Sequence, residues 1–286
     1  MPCGRAAERA PLGRALFSFC SFGIIPRRCA PCIAPVLACL LWTNISAADC
    51  PAGHIDERAR VAHVHDGDTL VLRDGRKVRL IGVNAPELPR EGDPGQPYAE
   101  DSRDALRGLL APPGDELALR YDGERFDRYG RLLAHLYRRD GASIQAWMLE
   151  HGYAVAIAVP PNLVNQECYR RAEGRASNAG LGLWGLVYYR PLPSAAIGPD
   201  SPDSGFRFIR GKVTRTSAGA GAVWLNLEGG LALRIARPDL RYFPGFRPRD
   251  LVGRTVVARG WLITRGAAPL MQIRHPSSLQ VVADDG

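Results

Sequence analysis

The sequence predicts a mainly β chain with helices, an α+β protein in which a five-stranded barrel carrying helices is followed by a second, smaller barrel. Three observations predict it. Between residues 61 and 137 stand five short runs in which apolar residues alternate with polar ones, broken once by a helical stripe. A Pro-rich stretch at residues 188–204 then interrupts the pattern. Five more β-runs follow, with the same break between the third and the fourth.

At the N-terminus, residues 1–28 are Arg-rich and irregular, residues 29–42 are apolar but broken by Pro31 and Pro35, and Ser46-Ala47-Ala48 supplies small residues before Asp49. That is the grammar of a signal peptide. A fourteen-residue apolar run is also too short for a membrane helix, which needs about 20. The expected organisation is therefore a signal peptide over residues 1–48, the first barrel over 49–187, a linker over 188–204 and the second barrel over 205–286. Export to the periplasm or medium follows, as a monomer with no membrane insertion once the signal is removed. Cleavage after Ala48 leaves Cys50 and Cys168 as the two cysteines of the mature chain. An oxidising compartment favours their pairing as a disulfide; two buried thiols are the alternative.

Runs at 61–65, 70–73 and 79–83 read as three strands, and Asp74-Gly75 reads as a two-residue type I′ hairpin turn between the second and third. Polar groups gather where these strands end. Asp66 and Asp68 follow the first, Arg79 lies in the third, and Asn84 and Glu87 flank Ala85-Pro86 beyond it. Asp68, Asn84 and a nearby carbonyl are hard oxygen donors suited to Ca²⁺ or Mg²⁺, and a carboxylate beside an arginine equips phosphoryl chemistry. Taken alone, Asp66-Gly67-Asp68-Thr69 is also an ordinary turn sequence.

A polar loop spans 88–97, a helical stripe over 98–110 ends at Pro112, and strands follow at 117–121 and 131–137. Five strands with a helix between the third and fourth is the order of an OB-type barrel. Ser143 is placed to cap a helix to about His151, and Asn162 to cap another that runs to Asn178 before Gly180 and Gly182. In the second unit, strands are expected at 205–216, 222–227, 231–236, 255–263 and 270–282, with 238–250 in the place of the helix. This gives a second OB-like barrel.

The ordered set Asp66-Gly67-Asp68-Thr69, Arg79, Asn84-Ala85-Pro86-Glu87 and Asp127-Arg128-Tyr129-Gly130-Arg131 resembles the staphylococcal nuclease (thermonuclease) family over about residues 58–185. The resemblance implies that Asp68 and Asn84 hold Ca²⁺ with the backbone carbonyl of Ala85. It makes Glu87 the general base for an attacking water, Arg79 and Arg131 the clamp on the phosphate, and Tyr129, beside Arg128, a substrate contact. Two departures stand out. The family usually has Asp where this chain has Asn84, and the stretch after Gly152 reads Tyr153-Ala-Val-Ala-Ile-Ala-Val-Pro-Pro161 where the best-known member places nucleotide-contacting tyrosines.

Formal net charge is +8, and its distribution is uneven. Residues 49–204 carry 19 basic against 23 acidic residues, whereas 205–286 carry 13 basic against 5 acidic, with twelve Arg to one Lys. Arginine is the better partner for phosphate and for bases. Trp224, Tyr242, Phe243 and Trp261 interleave with it; an OB groove could stack single-stranded bases on such aromatics, but core packing is the expectation for each. The sequence thus predicts an exported, Ca²⁺-dependent nuclease acting on DNA or RNA. The alternative is a catalytically weak or inactive barrel of the same type that only binds nucleic acid.

Overall fold

The structure of the 286-residue chain is a computed structural model that describes residues 50–110, 116–266 and 268–283; the expected signal peptide over 1–48 lies outside the described residues. β1 (Glu57–Asp66), β2 (Thr69–Leu72) and β3 (Lys77–Leu80) form a meander, followed by β4 (Val83–Asn84), α1 (Ala99–Leu109), β5 (Glu116–Arg120) and β6 (Leu132–Tyr137). The ring closes in the order β1-β2-β3-β6-β5, with β3 and β6 parallel and the other pairs antiparallel. β1 makes closure possible because its first half pairs with β5 and its second half with β2. Register shifts between Val61 and Asp66 bend it from one neighbour to the other. Leu70, Leu72, Val78, Leu80, Leu119, Leu132 and Leu136 fill the interior.

Two local expectations are corrected. The β2–β3 hairpin has a three-residue loop, because Gly75 N–H bonds to Leu72 O and Leu72 N–H to Arg76 O, and Gly75 alone has positive φ (88°). That is a type I turn closed by a left-handed glycine, in place of type I′. The expected third strand also breaks at Ile81-Gly82: β4 leaves the barrel to pair with β7 (Val155–Ala156), which follows α2 (Ile144–Glu150). Gly82 has φ 82°, and a Cβ there would lie 2.6 Å from the Tyr169 ring.

Ser143 caps α2, accepting from Ala146 N–H at 3.3 Å. Asn162 does not cap the next helix, α3 (Gln166–Asn178), which begins after Asn165. Its side chain instead bonds Glu124 N–H and Glu124 O. Cys50 and Cys168, on α3, are joined in a disulfide with Cα atoms 5.7 Å apart, as expected.

The segment 188–204 is Pro-rich but packed. Tyr189, Ser194 and Ile197 are buried, and β8 (Leu192–Pro193) pairs in parallel with β9 (Gly205–Ala218). β10 (Ala222–Leu227), β11 (Ala232–Ala236), β12 (Thr255–Ile263), β13 (Leu270–Gln272) and β14 (Leu279–Val282) complete the second unit. Its ring runs β9-β10-β11-β13-β12 and closes through β12–β9, with β11 and β13 parallel: the strand order of the first barrel again. Two 3₁₀ turns, Arg237–Tyr242 and Pro248–Leu251, stand where α1 stands upstream. The expected run over 270–282 is two strands, of which β13 closes the ring and β14 adds to the edge of β12.

The barrels share a small apolar cluster of Val155, Leu183, Tyr189, Phe206 and Phe208. Beside it Arg259 of β12 reaches Glu173 of α3, with Nη1 2.6 and 2.8 Å from the carboxylate oxygens. Among the described residues no helix is long and apolar enough to cross a membrane.

Candidate active site

The site begins at the β1–β2 turn. Gly67 has no side chain, and a Cβ there would fall 1.9 Å from Ser102 Oγ of α1 and 2.6 Å from Ala85 Cβ. The turn therefore seats Asp68 inside the protein. Asp68 N–H donates to Asp66 Oδ1 at 3.0 Å, fixing the turn. The Asp68 carboxylate accepts from Thr69 Oγ1 (3.0 Å) and Ala85 N–H (2.8 Å) and forms an ion pair with Arg79 Nη2 at 2.9 Å. Burial pushes its pKa up to about 6, with the Arg79 guanidinium pulling the other way.

Arg79 is held on its other side by carbonyls. Its Nη1 donates to Leu80 O (2.7 Å) and Val83 O (2.8 Å), and Nη2 lies 3.4 Å from Asn84 Oδ1. The β4–β7 pairing accounts for this, because it draws Val83 and Asn84 back across the end of β3. Asp68, Arg79, Asn84 and the backbone N–H of Ala85 are thus brought together.

Arg131 stands just before β6, which runs parallel to β3. Asp127 orients it, accepting from Arg131 Nε at 2.6 Å and from the backbone N–H groups of Tyr129 and Arg131, both at 2.9 Å. Those bonds outweigh partial burial and hold the Asp127 carboxyl below its ordinary value. Tyr129 is 68% exposed, its hydroxyl accepts from Arg128 Nη2 at 2.6 Å, and both arginine heads lie over its ring. Arg79, Arg128, Tyr129 and Arg131 all line one cleft of about 570 Å³.

Glu87 is placed differently. Its carboxylate meets Arg90 Nη2 at 2.7 Å on the loop after β4, and both side chains are largely exposed.

The far wall of the cleft belongs to the second barrel: Phe206, Arg259, Trp261, Ile263, Gln272 and Arg274. Sequence reasoning missed this wall. Trp261 was expected in a core and is 46% exposed, whereas Phe243 is buried as expected. Arginines interleaved with aromatics were the available signal, but which of them face the first barrel depends on tertiary packing.

The donor set fits a hard cation in kind. Asp68 Oδ2 and Asn84 Oδ1 both surround one positive group, Arg79 Nη2. They bring one carboxylate charge between them, and among the described residues no group of three or more His, Cys, Asp or Glu is arranged to hold a metal.

Comparison with known proteins agrees with the geometry. Residues 77–185 match the family model described as Staphylococcal nuclease homologue. The chain is 38% identical over 129 residues to endonuclease YncB of Bacillus subtilis (strain 168), a match covering 43% of this chain and 60% of that protein. It is 33% identical over 127 residues to the thermonuclease of Staphylococcus intermedius, covering 43% of this chain and 74% of the relative. With the thermonuclease of Staphylococcus hyicus it shares 30% over 132 residues, covering 45% and 76%.

Proposed function

This chain belongs to the staphylococcal nuclease family, and from that premise we propose that it is an exported, Ca²⁺-dependent nuclease that hydrolyses phosphodiester bonds in DNA or RNA. The observation that carries the reading is the presence of Arg79 and Arg131 in one cleft, each oriented by a carboxylate. Arg131, bonded to Asp127 through Nε, keeps its two Nη groups for phosphate oxygens, and the charge of Arg79 beside it helps to hold the extra charge of the five-coordinate transition state. Asp68, Asn84 and the carbonyl of Ala85 would hold Ca²⁺, which when bound supplies charge neutralisation at a phosphate oxygen.

Glu87 serves as the base that takes the proton of the attacking water. To act there it must leave Arg90. That exchange is cheap, because a surface ion pair of this kind contributes at most about 1 kcal/mol. The reverse holds for Arg79, which two carbonyls and a buried carboxylate fix in place before substrate arrives. Tyr129 and Arg128 sit at the open side of the cleft as substrate contacts. The signal-peptide-like composition of residues 1–48 supports export.

A second reading is a barrel that binds nucleic acid without cutting it. Asn84, with no charge, and Glu87, engaged by Arg90, favour it. Digestion of labelled single- and double-stranded substrates, with Ca²⁺ and with chelator, separates the two. Cleavage that requires Ca²⁺ is expected. Arg131→Ala should lower turnover at least about 10²-fold, since one preorganised group aimed at developing charge contributes about 3 kcal/mol, and Glu87→Gln should do so because a general base contributes about 10²- to 10⁴-fold. Wild-type turnover in both variants would overturn the assignment.

A further inference from the structure

We propose that Trp261, on the second barrel, is the stacking platform for a base of single-stranded nucleic acid whose phosphate lies at Arg79 and Arg131; the inference rests on the nuclease reading above and names its substrate class. Along β12 burial alternates, and Arg259, Trp261 and Ile263 fall on the face turned to the first barrel. Two of them are large apolar side chains left open, Trp261 at 46% and Ile263 at 52%. An indole whose purpose was to glue the barrels together would be covered, as Phe206 and Phe208 are.

Trp261 is nonetheless held. The Phe206 ring meets it edge-on, with centroids 5.3 Å apart and planes at 81°. The indole is therefore presented as a supported surface facing a cleft whose opposite wall carries Arg79, Arg128 and Arg131. Five arginines line the cleft against Glu124 and Asp127 as its acidic residues. Guanidinium groups on both walls and the open indole plane on one match the two halves of a nucleotide, its anionic phosphodiester and its π-faced base.

The same geometry disfavours duplex. Paired bases expose no face to a side chain unless they are flipped out, and a cleft of about 570 Å³ has the size of a small-ligand pocket. Stacking of one base on an aromatic side chain contributes about 1–3 kcal/mol, or about 5- to 150-fold in affinity.

The test uses the full-length protein in chelator, with three labelled probes: a single-stranded oligothymidylate, an abasic strand of equal length, and a duplex. Trp261→Ala should weaken oligothymidylate binding about 5- to 150-fold, and Trp261→Phe should restore most of it. Binding of the abasic strand, which keeps the phosphates, and of the duplex should be the same in all three proteins. Equal oligothymidylate affinity in Trp261→Ala, or an equal loss on the abasic or duplex probe, would overturn the platform. Cleavage with Ca²⁺ is measured in parallel. Wild-type protein that shows this binding pattern but cuts nothing would overturn the hydrolase and keep the platform; cutting with no effect of Trp261→Ala would do the opposite.

Discussion

Asp68 and Asn84 share one partner, Arg79 Nη2, at 2.9 and 3.4 Å, and this fixes what each can contribute to a cation. Asp68 is buried and carries the charge; Asn84 offers an oxygen without one. The residue types and their spacing were legible in the sequence, because a turn, a strand and the strand end beyond it can meet at one place. The orientation of Glu87 was not, since its partner Arg90 lies three residues away on a loop with no periodic pattern to read. The difference between the two oxygens yields a prediction. Asn84→Asp would add a second carboxylate at the same distance, and ligand charge is a main determinant of Ca²⁺ affinity, so binding should tighten by about tenfold or more. Calorimetric titration of both proteins with Ca²⁺ measures it, and equal or weaker binding by the variant excludes Asn84 as a ligand.

At the scale of elements, alternation located all five strands of the first barrel but could not see where β3 ends. The break at Gly82 is set by the Tyr169 ring of α3, nearly ninety residues on, and no local pattern reports a contact of that separation. The same helix anchors residues 50 and 51. Cys168 is bonded to Cys50 across a separation of 118 residues, and Asn165 Nδ2 donates to Pro51 O at 3.2 Å. Cross-linking a loop of that length lowers the entropy of the unfolded chain by roughly 4–5 kcal/mol at 25 °C, an upper figure because residual structure in the unfolded chain reduces it. For a protein of this size that corresponds to a fall of about 10–20 °C in Tm for Cys50→Ala/Cys168→Ala. Scanning calorimetry of the two proteins checks it; an unchanged Tm would show that α3 holds the N-terminal segment without the bond.

For the whole molecule, two barrels of one strand order were legible because each repeats the same run of five alternating segments with a break after the third. Their mutual packing was not, since a stretch with Pro191, Pro193, Pro199 and Pro202 reads as an interdomain linker and does not report that Tyr189, Ser194 and Ile197 are buried. The two units share an apolar cluster, and next to it Glu173, 4% exposed at its side chain, binds both Ala156 N–H and the Arg259 guanidinium. Removing one member of a buried pair strands the other charge, which costs about 3–5 kcal/mol, whereas removing both charges is far milder. Arg259→Met should therefore lower stability by about that amount, and Glu173→Gln/Arg259→Met should recover most of it. Urea unfolding of the full chain and its variants measures both, and wild type should unfold in one transition because the cluster and the ion pair couple the barrels. A second, earlier transition in Arg259→Met would locate the coupling at this contact. Additive losses in the double variant would show instead that Glu173 stabilises β7 alone, and that the cleft between the barrels is held by the apolar cluster.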